Sequence, residues 1–250
     1  MGFVDVKGVA FYYQHQAGSP EHTNLLFIHG SGSSNEVWQN QMKTGLNSWA
    51  LDLAGHGQTA GTAPTTIAQA AQSVAEFITA LQLPRPLYLV GHSMGAAIAI
   101  TCALNHPQLL DGIILIGAGQ RMRVMPQFLD DLAQGKSDPN FIRLAFSPQT
   151  PPSVVEPMVD VFGKVPASIL YADFSACNNF DASQELENIS MPVLVIVGLD
   201  DKLTPLKLAE YVSSHINNSR LEVVPAAGHY VMLEAPEAVN KLILGFCSRQ

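Results

Sequence analysis

The tightest constraint on this chain is a junction with no spacer. Leu87-Tyr88-Leu89-Val90 reads as a short buried strand and Ala96 to Leu104 as a buried helix, with only Gly91-His92-Ser93-Met94-Gly95 between them. A strand that becomes a helix in so few residues must bend sharply at Ser93, in a strained backbone conformation. Side chains two positions either way would collide with each other or with the adjoining elements, which accounts for glycine at both 91 and 95. The helix start also aims free amide N–H groups at the serine, an arrangement suited to a developing oxyanion.

The same alternation runs along much of the chain. Two β-like pieces, 3–6 and 9–14, flank Lys7-Gly8 as an edge hairpin, and a polar loop is expected over 15–23. Leu25 to Ile28 reads as a buried strand running into His29-Gly30-Ser31-Gly32-Ser33-Ser34, whose glycines leave backbone amides exposed at the strand end. Residues 36–46 read as a short helix or irregular turn, and Trp49 to Leu53 as the next strand. From Thr65 or Thr66 the apolar residues Ile67, Ala70, Val74, Ile78 and Leu81 fall at helical spacing until Pro84 and Pro86. His106-Pro107 stops the helix that follows Ser93, and 112–117 is a further strand. Later, strands over 191–197 and 221–224 alternate with helices over 205–216 and 236–247. Strands apolar on both faces, alternating with helices, predict an α/β fold whose parallel sheet is covered on both sides.

Between about Gly119 and Asn188 the rhythm breaks. No buried strand is readable there, and the apolar spacing is helical. We expect a core of residues 1–118 and 189–250 and an all-helical cap inserted over 119–188. Its pieces are a helix over Met122 to Gln134, an N-cap and first turn at Asp138-Pro139, a third helix through Val159, Val161 and Phe162, and a last piece over 167–177. The start of the third stays open, because Ser153 and Glu156 have capping-box spacing while Pro157 follows at once. The apolar stock of this segment, Met122, Met125, Phe128, Phe141, Leu144 and Phe174 among it, exceeds what one thin layer needs and points to an apolar pocket.

Composition removes other function classes. With 13 basic and 21 acidic residues the formal charge is −8, which speaks against nucleic-acid binding or a polybasic membrane patch. No signal peptide or myristoylation pattern is expected at the N-terminus, and no apolar run is long enough to cross a bilayer. Cys102, Cys177 and Cys247 are too scattered for a disulfide framework or a zinc site, so we expect reduced, packed thiols, no metal, and a cytoplasmic location. Five basic and eight acidic residues between 120 and 185 provide no evident phosphate or polyanionic cofactor site. No cofactor is expected.

The remaining chemistry lies at strand ends. Gly198-Leu199-Asp200-Asp201-Lys202-Leu203-Thr204-Pro205 follows one strand, and Ala226-Ala227-Gly228-His229 the last. In a parallel sheet these ends share one edge, so Ser93, an Asp and His229 can converge. Together the motifs resemble the α/β-hydrolase fold superfamily, and the resemblance covers nearly the whole chain in the family's order. Gly91 to Gly95 resembles its nucleophile elbow, His29 to Gly32 its oxyanion loop, Asp52 to Gly57 its turn after the next strand, and Glu234-Ala235-Pro236 its last helix entry.

That resemblance implies a mostly parallel eight-stranded sheet flanked by helices, with Ser93 as nucleophile, Asp201 as acid and His229 as base. It also implies oxyanion donation from the backbone N–H groups of Ser31 and Met94. The acid spacing in the family favours Asp201 over Asp200, for which a solvated position or a helix N-cap is expected. His29 and His56 are expected to bond loop backbone, His92 to pack beside the elbow, and His106 to offset a helix dipole. The expected activity is hydrolysis of small to medium apolar carboxylic esters by a monomer or small homo-oligomer, rising with pH as the imidazole at 229 loses its proton. Thioester, lactone or carbon–carbon bond hydrolysis, perhydrolysis, and a slow-turnover ligand receptor are the alternatives on the same frame.

Overall fold

The computed structural model of the protein describes residues 1–18 and 23–248. Eight strands form one sheet: β1 (Gly2–Val6), β2 (Val9–Gln16), β3 (Asn24–Ile28), β4 (Asn47–Leu51), β5 (Leu87–His92), β6 (Gly112–Ile116), β7 (Val193–Gly198) and β8 (Ser219–Val224). Their spatial order is β1-β2-β4-β3-β5-β6-β7-β8. The β1–β2 and β2–β4 pairs are antiparallel and all others parallel. The chain therefore leaves β3 first toward β4 and then, through β5, in the opposite direction. This reversal is the switch point at which open α/β sheets leave a crevice beyond the strand ends.

Period-two alternation sorts the strands from β3 onward into two cores. Leu26 and Ile28 of β3 pack with α1 (Ile67–Ala80), α2 (Met94–Asn105) and α6 (Leu206–His215) on one face. Leu25 and Phe27 pack on the other with α8 (Pro236–Cys247) and with the short α7 (Val231–Glu234), which the sequence reading did not foresee. Every residue of β3, β5 and β6 is buried. Each fully buried aliphatic side chain contributes about 1.5–3 kcal/mol, so these central strands anchor the loops that leave them.

Between β6 and β7 lie α3 (Pro126–Ala133), a 3-10 stretch over Pro139–Ala145, α4 (Pro152–Lys164) and α5 (Ala167–Asn179), joined at the base by an Arg121–Asp181 bridge. The first helix begins later than Met122, at Pro126, whose fixed φ suits a first position. Asp138 caps the 3-10 stretch by accepting from the Asn140 amide. The capping box does not form: α4 starts one residue before Ser153, carries Pro157 in its interior, and its Glu156 pairs instead with Arg143. Other boundaries move as well. β4 spans 47–51 rather than 49–53, residues 15 and 16 belong to β2, and the 36–46 region holds two 3-10 turns. The rest of the expected 15–23 loop lies partly outside the described residues.

Candidate active site

Ser93 joins β5 to α2 with φ 54° and ψ −116°, a conformation that costs a non-glycine residue about 1–3 kcal/mol. The packing around it permits no relaxation. A Cβ at Gly91 would lie 2.0 Å from the Gly95 carbonyl oxygen, and one at Gly95 would lie 2.3 Å from that of Ile28. Both glycines are therefore demanded by backbone against backbone, and the serine side chain is left half-buried at the strand end.

Asp201 follows β7 and His229 follows β8. The His229 Nδ1–H donates to Asp201 Oδ2 at 2.8 Å, and Thr204 Oγ1 bridges the two, 2.8 Å from the carboxylate and 3.0 Å from the ring nitrogen. The amides of Leu203 and Thr204 donate to the other carboxylate oxygen. Burial pushes the Asp201 carboxyl up. The charge and hydrogen bond of His229, with the amide and hydroxyl of Thr204, outweigh this and hold it below the usual carboxylate range. With Nδ1 committed to donation, Nε2 of His229 carries the lone pair and has no partner among the described residues.

Ser93, His229, Ser31 and Thr204 share the wall of a cavity of about 280 Å³. No hydrogen bond joins Ser93 to His229 among the described residues, a looseness common in unliganded sites. The rest of the wall is mostly apolar and comes largely from the inserted segment: Met122, Met125, Phe128, Phe141, Leu144 and Phe174. Leu170, Phe162 and Met158 of the same segment are buried away from it and fasten the segment to the core. Cys177 also lines the cavity, its thiol pushed up to about 12 by burial and so protonated at neutral pH.

The remaining histidines divide by their partners. His29 donates from Nδ1 to the Gly30 carbonyl and accepts the Leu53 amide at Nε2, so it is neutral. Burial and the neighbouring charge of His56 lower its pKa to about 3. Nε2 of His92 donates to the His229 carbonyl at 3.0 Å, which ties the β5–α2 junction to the loop after β8. Burial and the charge of His229 hold its pKa well below the ordinary imidazole value. His106 ends α2. His56 meets loop backbone as expected, its Nδ1 donating to the Ala54 carbonyl, and its Nε2 in addition meets Asp173 of α5 at 2.9 Å. Asp200 corrects its own expectation: it is half-buried and accepts from Ser147 Oγ at 2.6 Å, so it is neither a solvated side chain nor a helix cap. The carboxylate of Glu234 accepts from the amides of Ser147 and Gly228, binding the inserted segment to the residue before His229. Nothing in the sequence spacing marks Asp173 or Glu234 as partners of these loops.

Residues 25–242 match the family model described as "Alpha/beta hydrolase family". A solved structure titled "Structure of a thermophilic esterase" superposes with a TM-score of 0.85 at 31% identity, covering 99% of this chain and 96% of that one. The chain is 27% identical to a pimeloyl-[acyl-carrier protein] methyl ester esterase of Neisseria meningitidis, over 89% of this chain and 92% of that protein. It is 24% identical to the human monoacylglycerol lipase ABHD6, over 92% of this chain and 77% of the relative.

Proposed function

The chain belongs to the alpha/beta hydrolase family, and from that premise we propose that it is a serine carboxylesterase for small to medium apolar acyl groups. The observation that carries the reading is a single cavity. It joins the strained Ser93 and the Asp201-oriented His229 to a mostly apolar wall. Its volume of about 280 Å³ lies just below the roughly 300–1,000 Å³ common for ligand pockets, which favours short acyl chains.

In this reading His229 Nε2 takes the hydroxyl proton as Ser93 attacks the ester carbonyl, while Asp201 and Thr204 hold the ring and Asp201 offsets its new charge. The amides of Ser31 and Met94 receive the oxyanion, each worth about 3 kcal/mol of barrier. The imidazolium then protonates the leaving alcohol, and a water activated by the same ring releases the acid. Residues 119–188 act as a cap over the core of 1–118 and 189–250. The substrate is a small molecule, and the chemistry needs no cofactor.

The test is labelling by a fluorophosphonate probe beside turnover of p-nitrophenyl esters of graded length. Wild type should label and cleave short esters, and Ser93→Ala should do neither, with kcat down by about 10⁵-fold or more. Equal labelling of both would overturn the reading. Lactones, acyl thioesters and diketones in the same panel separate it from the other reactions on this frame, and tight binding without turnover would mark a receptor.

A further inference from the structure

Helix α5 lies directly on the loop that carries Ser31. Leu170, Asp173 and Cys177 fall on one face of it at i, i+3 and i+7. A Cβ at Gly32 would come 2.5 Å from Leu170 Cδ2, the Gly32 amide donates to Asp173 Oδ2 at 2.8 Å, and Cys177 Sγ sits 3.6 Å from Ser31 Oγ. That loop has glycine on both sides of Ser31, so local preference does not hold it, and an outside anchor must.

Asp173 is 0% exposed, its Oδ2 also meets His56, and its Oδ1 has no partner among the described residues. As a stabilising device this is a poor choice, because apolar side chains of similar volume often replace a buried ion pair with no loss of stability. An apolar side chain, however, has no acceptor for the Gly32 N–H. We propose that Asp173 is a positioning residue: it latches the inserted helix to the Gly30–Gly32 loop and so sets the direction of the Ser31 amide toward the oxyanion. The proposal rests on the esterase reading above. The same helix presents Phe174 to the cavity, so acyl occupancy and loop geometry ride on one rigid element.

The experiment compares wild type, Asp173→Ala and Asp173→Asn in p-nitrophenyl ester turnover and in affinity for an alkyl trifluoromethyl ketone, which mimics the tetrahedral adduct. Asp173→Ala should lower kcat about 100-fold, leave KM within about threefold, and weaken the ketone by the same factor as kcat. Asp173→Asn keeps an acceptor for Gly32 and should recover most of both. The double variant Asp173→Leu with His56→Leu removes the acceptor without stranding a charge. It should show the same catalytic loss even if the alanine variant does not fold. Wild-type kcat and ketone affinity in either acceptor-free protein would overturn the latch. A wild type that neither labels with fluorophosphonate nor cleaves esters would instead sink the esterase reading. Hydrogen exchange at the 30–32 amides then decides the latch, which predicts faster exchange in the acceptor-free variants.

Discussion

The protein holds two buried carboxylate–imidazole pairs, and in first geometry they are near copies. His229 meets Asp201 at 2.8 Å through Nδ1, and His56 meets Asp173 at 2.9 Å through Nε2, all four side chains at most 4% exposed. They differ in what the second ring nitrogen faces. At His229 it opens on the cavity shared with Ser93; at His56 it donates to the Ala54 carbonyl. A ring between two acceptors must carry both protons, so His56 is an imidazolium. Burial opposes that charge, but the hydrogen bond and charge of Asp173, with Ala54 and Asp52, raise its pKa above the ordinary value. One pair can therefore move a proton, while the other can only hold structure in place.

The largest effect that tests this contrast is on turnover. Asp201→Asn should lower kcat for a short ester by about 10⁴-fold with the fold intact, because the amide no longer fixes the tautomer that leaves Nε2 free. The isosteric Asp173→Asn should stay within about tenfold of wild type. If the two variants lose activity equally, the open pair is not the one that does the chemistry.

Stability should rank the pairs the other way. His56→Gln leaves a sealed carboxylate with no cation and should cost about 3 kcal/mol in urea unfolding. His229→Gln leaves Asp201 with the Leu203 and Thr204 amides and the Thr204 hydroxyl, and should cost only about 1 kcal/mol. A reversed order would mean that burial, and not the remaining donors, sets the penalty.

The open pair was legible in the sequence and the sealed one was not, for a physical reason. Ser93, Asp201 and His229 each stand at a strand end beside glycines or a helix start, and parallel strands collect such ends on one edge. The His56–Asp173 contact joins a core loop to a helix 117 residues later, and neither position has a local pattern that names the other. The inserted segment shows the same limit. Its helical character followed from apolar spacing, but the start of α4 depended on whether Ser153 could cap a helix that Pro157 interrupts. The Arg143–Glu156 pairing across the segment went the other way. Thr204, three residues beyond Asp201, was within reach of local reasoning, since a hydroxyl at that spacing can meet both carboxylate and imidazole.

The smallest effect is in how each pair's stabilisation changes with pH, and here the signs are opposite. The Asp201 carboxyl is held below its usual value in the folded protein. Its contribution is full above the unfolded carboxylate value of about 4 and is lost as pH falls through the depressed folded value. The His56 imidazole is held above its usual value. Its contribution is full below the unfolded imidazole value of about 6.5 and is lost as pH rises through the raised folded value. The stability gap between wild type and Asp201→Asn should therefore narrow as pH falls below the unfolded carboxylate value of about 4, and that between wild type and His56→Gln as pH rises above the unfolded imidazole value of about 6.5. Both follow from urea midpoints at fixed ionic strength. If the His56 gap held constant to alkaline pH, the ring would be neutral in the folded protein, Ala54 and Asp173 would not both be acceptors of its protons, and the two pairs would differ only in exposure.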